Sequence, residues 1–157
     1  MFSISSILWP TDGSESSFGA LEAAVEIAKK FNAVLYAVQV VQQVPPLVVG
    51  SGVAPMALKG FDVPLYQQEL LKSAEDDLSR VVSEKIPQEI DTVSEIRIGK
   101  PAEIILEFSL EKNIDLIVMA TQGRSVFSRF MIGSVAEKTI RQSTIPTLII
   151  PALSDDT

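Results

Sequence analysis

Five short strand-like runs, at residues 4–10, 33–41, 92–98, 115–119 and 147–150, alternate with stretches whose apolar residues recur every three to four positions. Nothing else in the chain restricts its fold as severely. A short run rich in Val, Ile and Leu reads as a strand, and apolar residues at i, i+3 and i+4 read as the buried face of a helix. Strict alternation of the two argues for a parallel sheet with helices on both faces. Right-handed crossovers then limit how the sheet can be wound. The expected fold is α/β: a five-stranded, doubly wound, Rossmann-like parallel sheet of order 3-2-1-4-5. At 157 residues the whole chain, 1–157, reads as one domain.

The segments carry their own signals. Strand one, 4–10, is closed by Pro10, and Thr11-Asp12-Gly13-Ser14 offers several oxygen-bearing caps for a helix at 15–31. In that helix Phe18, Leu21, Ala24, Val25, Ala28 and Phe31 share one face. The near-continuous apolar run 33–41 suits a parallel strand covered on both sides. Residues 42–64 hold four prolines and three glycines and exceed the length of an ordinary connection, so they read as an insert. A second helix follows at 65–84, striped by Leu70, Ala74, Leu78, Val81 and Val82. Strand three alternates Ile96 and Ile98 with Glu95 and Arg97, as an edge strand does. Gly99-Lys100-Pro101 turns into helix three, with Ile104, Ile105 and Phe108 inward and Asn113 as its stop. Helix four, 134–142, points Val135, Ala136 and Ile140 inward, and strand five lies between Pro146 and Pro151.

Composition removes whole classes of function. With no cysteine and no histidine there is no disulfide framework, no thiol nucleophile, no Ser-His couple and no His-ligated metal. A formal charge of −7 and a pI near 4.6 argue against a nucleic-acid partner, which needs a basic face. No apolar run is long enough to span a membrane. Residues 1–6 lack a basic region followed by an apolar block, so no secretory signal is read and cytoplasmic residence is the default.

One stretch carries the chemistry. The strand at 115–119 breaks into a polar loop, 121–125, with Gly123 at its centre, and Gly133-Ser134 then opens a helix. A strand, a glycine-bearing loop and a helix N-terminus are the parts of a phosphate cradle, because unpaired N–H groups and the positive end of the helix dipole meet there. An apolar turn, 126–132, separates the two grips, and Arg124 and Arg129 add cations. In sheets of this kind ligands bind beyond the strand C-termini where the winding reverses. With strands one and four as central neighbours, that crevice lies between 10–12 and 120–125. Each feature also has a plainer reading: Gly123 as a turn residue, Ser134 and Asp12 as helix caps.

The pattern Ala120-x2-Gly123-x9-Gly133-Ser134, with Pro10-Thr11-Asp12 ending strand one, resembles the universal stress protein family. The resemblance extends to the Gly99-Lys-Pro-Ala-Glu103 turn and the closing Pro146-Thr-Leu-Ile-Ile150 strand, and so covers nearly the whole chain. It implies an ATP-binding member. Asp12, after Pro10 and Thr11, would meet the adenine or ribose side of the crevice, and Val40 would contact adenine. Ala120, Thr121, Gln122, Gly123, Arg124, Ser125 and Val126 would wrap ribose and phosphates. Gly133, Ser134, Val135 and Ala136 would hold the phosphates. The departure is Ala120, where the pattern has its first glycine; alanine cannot adopt positive φ cheaply. The resemblance also implies a homodimer through strand five, Pro146 to Ile150.

Three readings compete on these residues. The first is a regulatory stress protein that binds ATP, with Mg²⁺ carried on the phosphates rather than by dedicated side chains. The Walker A pattern Gly-x4-Gly-Lys-Ser/Thr is absent and no hydrolytic apparatus is visible, so the chain is not read as an enzyme and hydrolysis would at most be slow. The second is a dimeric interaction module that binds no nucleotide. The third, a phospho-accepting receiver, needs paired acids after strand one and an aspartate after strand three; the chain offers Asp12 alone and Gly99-Lys100.

Overall fold

The structure, a computed structural model, describes residues 2–45, 62–122 and 132–151. Its elements run β1 (Ser6–Thr11), α1 (Glu15–Phe31), β2 (Val34–Val41), α2 (Val63–Lys85), β3 (Thr92–Ile98), α3 (Pro101–Glu111), β4 (Leu116–Ala120), α4 (Ser134–Gln142) and β5 (Thr147–Ile150). The strands form one five-stranded sheet in the order β3-β2-β1-β4-β5, and every pairing is parallel. This is the expected fold.

Period-two alternation sorts the strand side chains onto two faces. On one, Ile7, Trp9, Leu35, Ala37, Leu116 and Val118 pack with Ala20, Leu21, Ala24, Val25 and Ala28 of α1 and with Leu78 of α2. On the other, Leu8, Val38, Ile117 and Met119 pack with Ile105 and Phe108 of α3 and Ala136 of α4. The central strands are therefore apolar on both sides. The edge strand β3 is half-polar, as its alternation predicts, with Val93 and Ile98 exposed.

The helices begin and end for local reasons. Asn32 takes a left-handed φ of 53° at the C-cap of α1, and Asn113 does the same at φ 52° just beyond α3. The second helix starts inside the segment read as insert: the Asp62 carboxylate accepts from Leu65 N–H at 3.0 Å, and Pro64 sits in the first turn, where its missing N–H costs nothing. The far end of α3 is pinned to the edge strand. Arg97 donates to both carboxylate oxygens of Glu111 at 3.0 Å and also to Glu95, and its guanidinium lies 5.0 Å from the Phe108 ring centre. Glu111 and then Glu95 raise the guanidinium's pKa further above its ordinary value, and Arg97 in turn holds the Glu111 carboxyl below the usual range.

Four expectations need correction. Pro10 does not end strand one: it lies within β1, opposite Val38, and the strand runs on to Thr11. Phe31, the last residue of α1, is half exposed rather than buried with the rest of its face. Ile140 faces outward, and Thr139 takes the inward position on α4. A buried threonine is tolerated there because its hydroxyl donates to Val135 O at 2.7 Å within the helix. Strand four starts at Leu116 rather than Asp115, whose side chain is turned to another task at the lower end of the sheet.

At that lower end, where β1 and β4 begin, Asp115 Oδ2 accepts from the backbone N–H groups of Ser5 and Ser6 and from both their hydroxyls, at 2.8–3.0 Å. Burial pushes the carboxyl's pKa up, but these hydrogen bonds together outweigh it and leave the group below its ordinary value.

Candidate functional site

At the opposite end the same two strands part. The β1–β4 ladder holds Ile7 opposite Leu116 and Leu8 opposite Ile117 and goes no further, whereas β1 stays paired with β2 through Thr11 opposite Gln39. Pro10 supplies no N–H with which to extend the ladder. A cavity of about 380 Å³ opens where the strands separate.

Its walls come from six elements. The end of β1 contributes Pro10, Thr11 and Asp12; β2 contributes Val40 and, just beyond, Gln42; β4 contributes Met119 and Ala120, followed by Gln122. Gly133, Ser134, Val135 and Ala136 present the start of α4. Pro101 and Ile105 lean in from α3, and Ser17 from the first turn of α1. The structure thus gathers Pro10, Thr11, Asp12, Val40, Ala120, Gln122, Gly133, Ser134, Val135 and Ala136 around one space. Thr121 does not line it. Its N–H donates to Ile150 O at 3.0 Å, and its carbonyl accepts from Gly133 N–H at 2.6 Å, so it ties the α4 N-cap to the end of the sheet. Gly123, Arg124, Ser125 and Val126 lie outside the described residues, as do Arg129 and most of the insert.

The substitution at position 120 is explained by where it falls. Ala120 is the last residue of β4, paired with Ile150, and the described non-glycine residues with positive φ are Asn32 and Asn113. Position 120 needs no glycine conformation here.

Three helix starts meet at the cavity without a side-chain cap. The N-cap positions of α1, α3 and α4 are Ser14, Lys100 and Gly133, and none makes a side-chain capping bond. The Ser14 hydroxyl is enclosed with no partner among the described residues. Among the described helices only α2, which contributes nothing to the cavity wall, is capped by a side chain. Uncapped first turns carry unpaired N–H groups and the positive ends of their dipoles, which makes this space favourable for an anion. Beside it, Glu103 bridges α3 to α4: Lys138 Nζ lies 3.3 Å and Lys100 Nζ 3.7 Å from its Oε1, and these cations, Lys138 first, lower its pKa.

The β1 wall has the opposite character. Asp12 Oδ1 accepts from Ser14 N–H at 2.9 Å, which shapes the turn, and Gly13 adopts φ 79° within it. Thr11 Oγ1 accepts from Gly13 N–H at 3.0 Å and lies 2.8 Å from Ser17 Oγ. Ser17 O accepts from the indole N–H of the fully buried Trp9 at 2.8 Å.

Ser17, Gln42, Pro101, Ile105 and Met119 were not among the residues expected in the site. Met119 and Ile105 read as core residues, and both are buried. Gln42 had a signal: it stands two residues beyond Val40, on the same side of an extended chain. Pro101 had none, because its presence depends on α3 crossing over the sheet from the edge strand β3 to β4.

Comparison with known proteins agrees with this fold. The profile of the universal stress protein family matches residues 4–151. Universal stress protein MJ0531 of Methanocaldococcus jannaschii is 36% identical over 146 residues, covering 92% of this chain and 80% of its own. The solved structure of MJ0577 from the same organism superposes with a TM-score of 0.73 at 21% identity, covering 96% of this chain and 98% of that one. A universal stress protein solved in complex with cAMP gives 0.58 at 23% identity, covering 95% and 98%. One from Archaeoglobus fulgidus in complex with dAMP gives 0.53 at 19%, covering 96% and 99%. With a family profile spanning nearly its whole length and the family's fold in its sheet, this chain belongs to the universal stress protein family.

Proposed function

We propose that this protein is a cytoplasmic regulatory protein that binds an adenine nucleotide, ATP, in the cavity between β1 and β4. The observation that carries the proposal is the convergence of three uncapped helix starts on a cavity that has an apolar floor and an acceptor-bearing opposite wall. The phosphates lie at the start of α4, against the N–H groups of Ser134, Val135 and Ala136 and the Ser134 hydroxyl. The base and sugar lie toward Thr11, Asp12 and Val40, with Met119 and Ile105 beneath. Two proteins of the same fold, solved with cAMP and with dAMP, support an adenine ligand. The polar loop at 121–125, with Val126, is proposed to complete the grip, as the family resemblance implies. Among the described residues no group of acidic side chains is placed to hold a metal; in this reading Mg²⁺ is carried on the phosphates. The chain's own residues bind and orient; none is assigned a step in hydrolysis.

The test is direct. Denaturing the purified protein and identifying released small molecules by mass spectrometry should recover an adenine nucleotide at close to one per chain. A protein that releases none, and that binds none when ATP is titrated to millimolar concentration, overturns the reading.

The same protein is proposed to form a homodimer through β5. Among the described residues that strand has β4 on one side only, and Leu148 on it and Ile140 on α4 are exposed. Apolar edge strands favour pairing across a twofold axis. Sedimentation should show a dimer that Leu148→Asp converts to monomer; a wild-type protein that is monomeric at micromolar concentration rejects the assignment.

A further inference from the structure

Hydroxyl protons on the β1 wall can be counted. Ser17 Oγ lies 2.7 Å from Ser14 O and 2.8 Å from Thr11 Oγ1. A carbonyl oxygen only accepts, so the Ser17 proton must point at Ser14 O; otherwise two oxygens face each other at 2.7 Å with no proton between them. The contact with Thr11 then needs the Thr11 proton. Thr11 Oγ1 also accepts from Gly13 N–H at 3.0 Å. Both protons are committed to the protein, and whatever the two oxygens have left to offer the cavity is lone pairs. Asp12 alongside adds a carboxylate, which when ionised accepts only.

We infer that Ser17 is a positioning residue that sets the polarity of this wall: by holding the Thr11 proton it makes the Thr11 hydroxyl an acceptor toward the cavity, and so selects a ligand bearing an N–H or O–H donor there. The inference rests on the nucleotide reading above. In a nucleotide that donor is either the exocyclic amine of the base or a ribose hydroxyl. The cavity then has two unlike walls, accepting at β1 and donating at the start of α4. A nucleoside phosphate, with donors at one end and anionic oxygens at the other, matches it in one orientation. Trp9 holds the backbone of Ser17 through its carbonyl, so removal of the Ser17 hydroxyl leaves that anchor in place.

Calorimetric titration of ATP against analogues that exchange a donor for an acceptor tests this. Inosine triphosphate replaces the 6-amino group with an oxo group and reports on the base. The 2′-fluoro and 3′-fluoro analogues of ATP replace a sugar hydroxyl and report on the ribose. Wild-type protein should bind at least one of the three about tenfold or more weaker than ATP, because two acceptors then face each other in a dry site. Ser17→Ala releases the Thr11 proton to turn toward the cavity. It should weaken ATP by about threefold and reduce the penalty on that same analogue to about threefold or less, whereas Ser17→Thr, which keeps the hydroxyl, should retain the penalty. Wild-type protein that binds ATP and all three analogues equally overturns the inference and leaves the nucleotide reading intact, without need of any variant. So does a Ser17→Ala protein that keeps the full penalty. Failure of wild-type protein to bind any of the four nucleotides removes the nucleotide reading and this inference with it.

Discussion

The two ends of the β1–β4 seam are built on opposite principles. At the lower end one carboxylate oxygen of Asp115 gathers two backbone N–H groups and two hydroxyls, and the strands are laced shut. At the upper end the ladder stops at Leu8, Pro10 offers no donor, and three helices start without caps. Saturated polar groups stabilise a fold and leave nothing for a ligand. Unsaturated ones cost stability and leave hydrogen-bonding capacity in place. The lower end of the seam is built for stability, and the upper end keeps the hydrogen-bonding capacity that the proposed nucleotide would use.

The core beneath both ends is the place to break the comparison outright. Phe108 is fully buried, meets Tyr36 edge-on at 5.9 Å, and lies beneath the Arg97 guanidinium. Phe108→Ala should cost about 3–5 kcal/mol in denaturant unfolding and take nucleotide binding with it, since α3 carries Pro101 and Ile105. Gly99→Ala comes next. Gly99 has φ 151°, and a Cβ there would stand 2.7 Å from Ile104 Cγ1. Backbone strain and crowding should cost about 1–3 kcal/mol and weaken binding through the displaced start of α3. A stability loss with unchanged affinity would show that the α3 wall is dispensable.

Asp115→Asn sharpens the division, because it should lower stability by about 1–3 kcal/mol at neutral pH and leave ATP affinity alone. Its pH dependence has a definite sign. The folded carboxyl titrates below its ordinary value of 3.8, so its contribution is fully present above that value and is lost as pH falls through the folded pKa. Melting curves of wild type and variant should therefore be well separated at pH 7 and converge in acid below about pH 4. The smallest stability effect belongs to Ser134→Ala at the first position of α4, an exposed residue. Unfolding should shift by no more than about 0.5 kcal/mol, while ATP binding weakens by about 1 kcal/mol through loss of one hydroxyl. The reverse pattern would place Ser134 in a capping role only.

The fold was legible because its signals are local and agree with one another. The half-polar rhythm of 92–98 marks an edge, the apolar run at 33–41 marks a strand covered twice, and Asn113 marks a helix stop. Where the reading failed, a hydrogen bond or strand pairing that periodicity does not register decided. Pro10 looks like a terminator, yet β2 holds it in the sheet. Thr139 looks like a surface residue, yet an internal hydrogen bond lets it replace Ile140 inside. The site was legible where one strand end or helix start supplies several residues in a row, as at 10–12 and 133–136. It was not legible where a single side chain arrives from elsewhere. Ser17 reads as an ordinary first-turn serine, and only its 2.8 Å approach to Thr11 reveals its position on the wall.

The chain contains a single tryptophan, and it is fully buried with its indole N–H bound to the carbonyl of Ser17, a residue that lines the cavity. The protein therefore carries its own optical reporter at the seam. Emission from Trp9 should be blue-shifted in the native state and should change in yield or lifetime as the cavity fills, allowing occupancy to be followed in unlabelled protein.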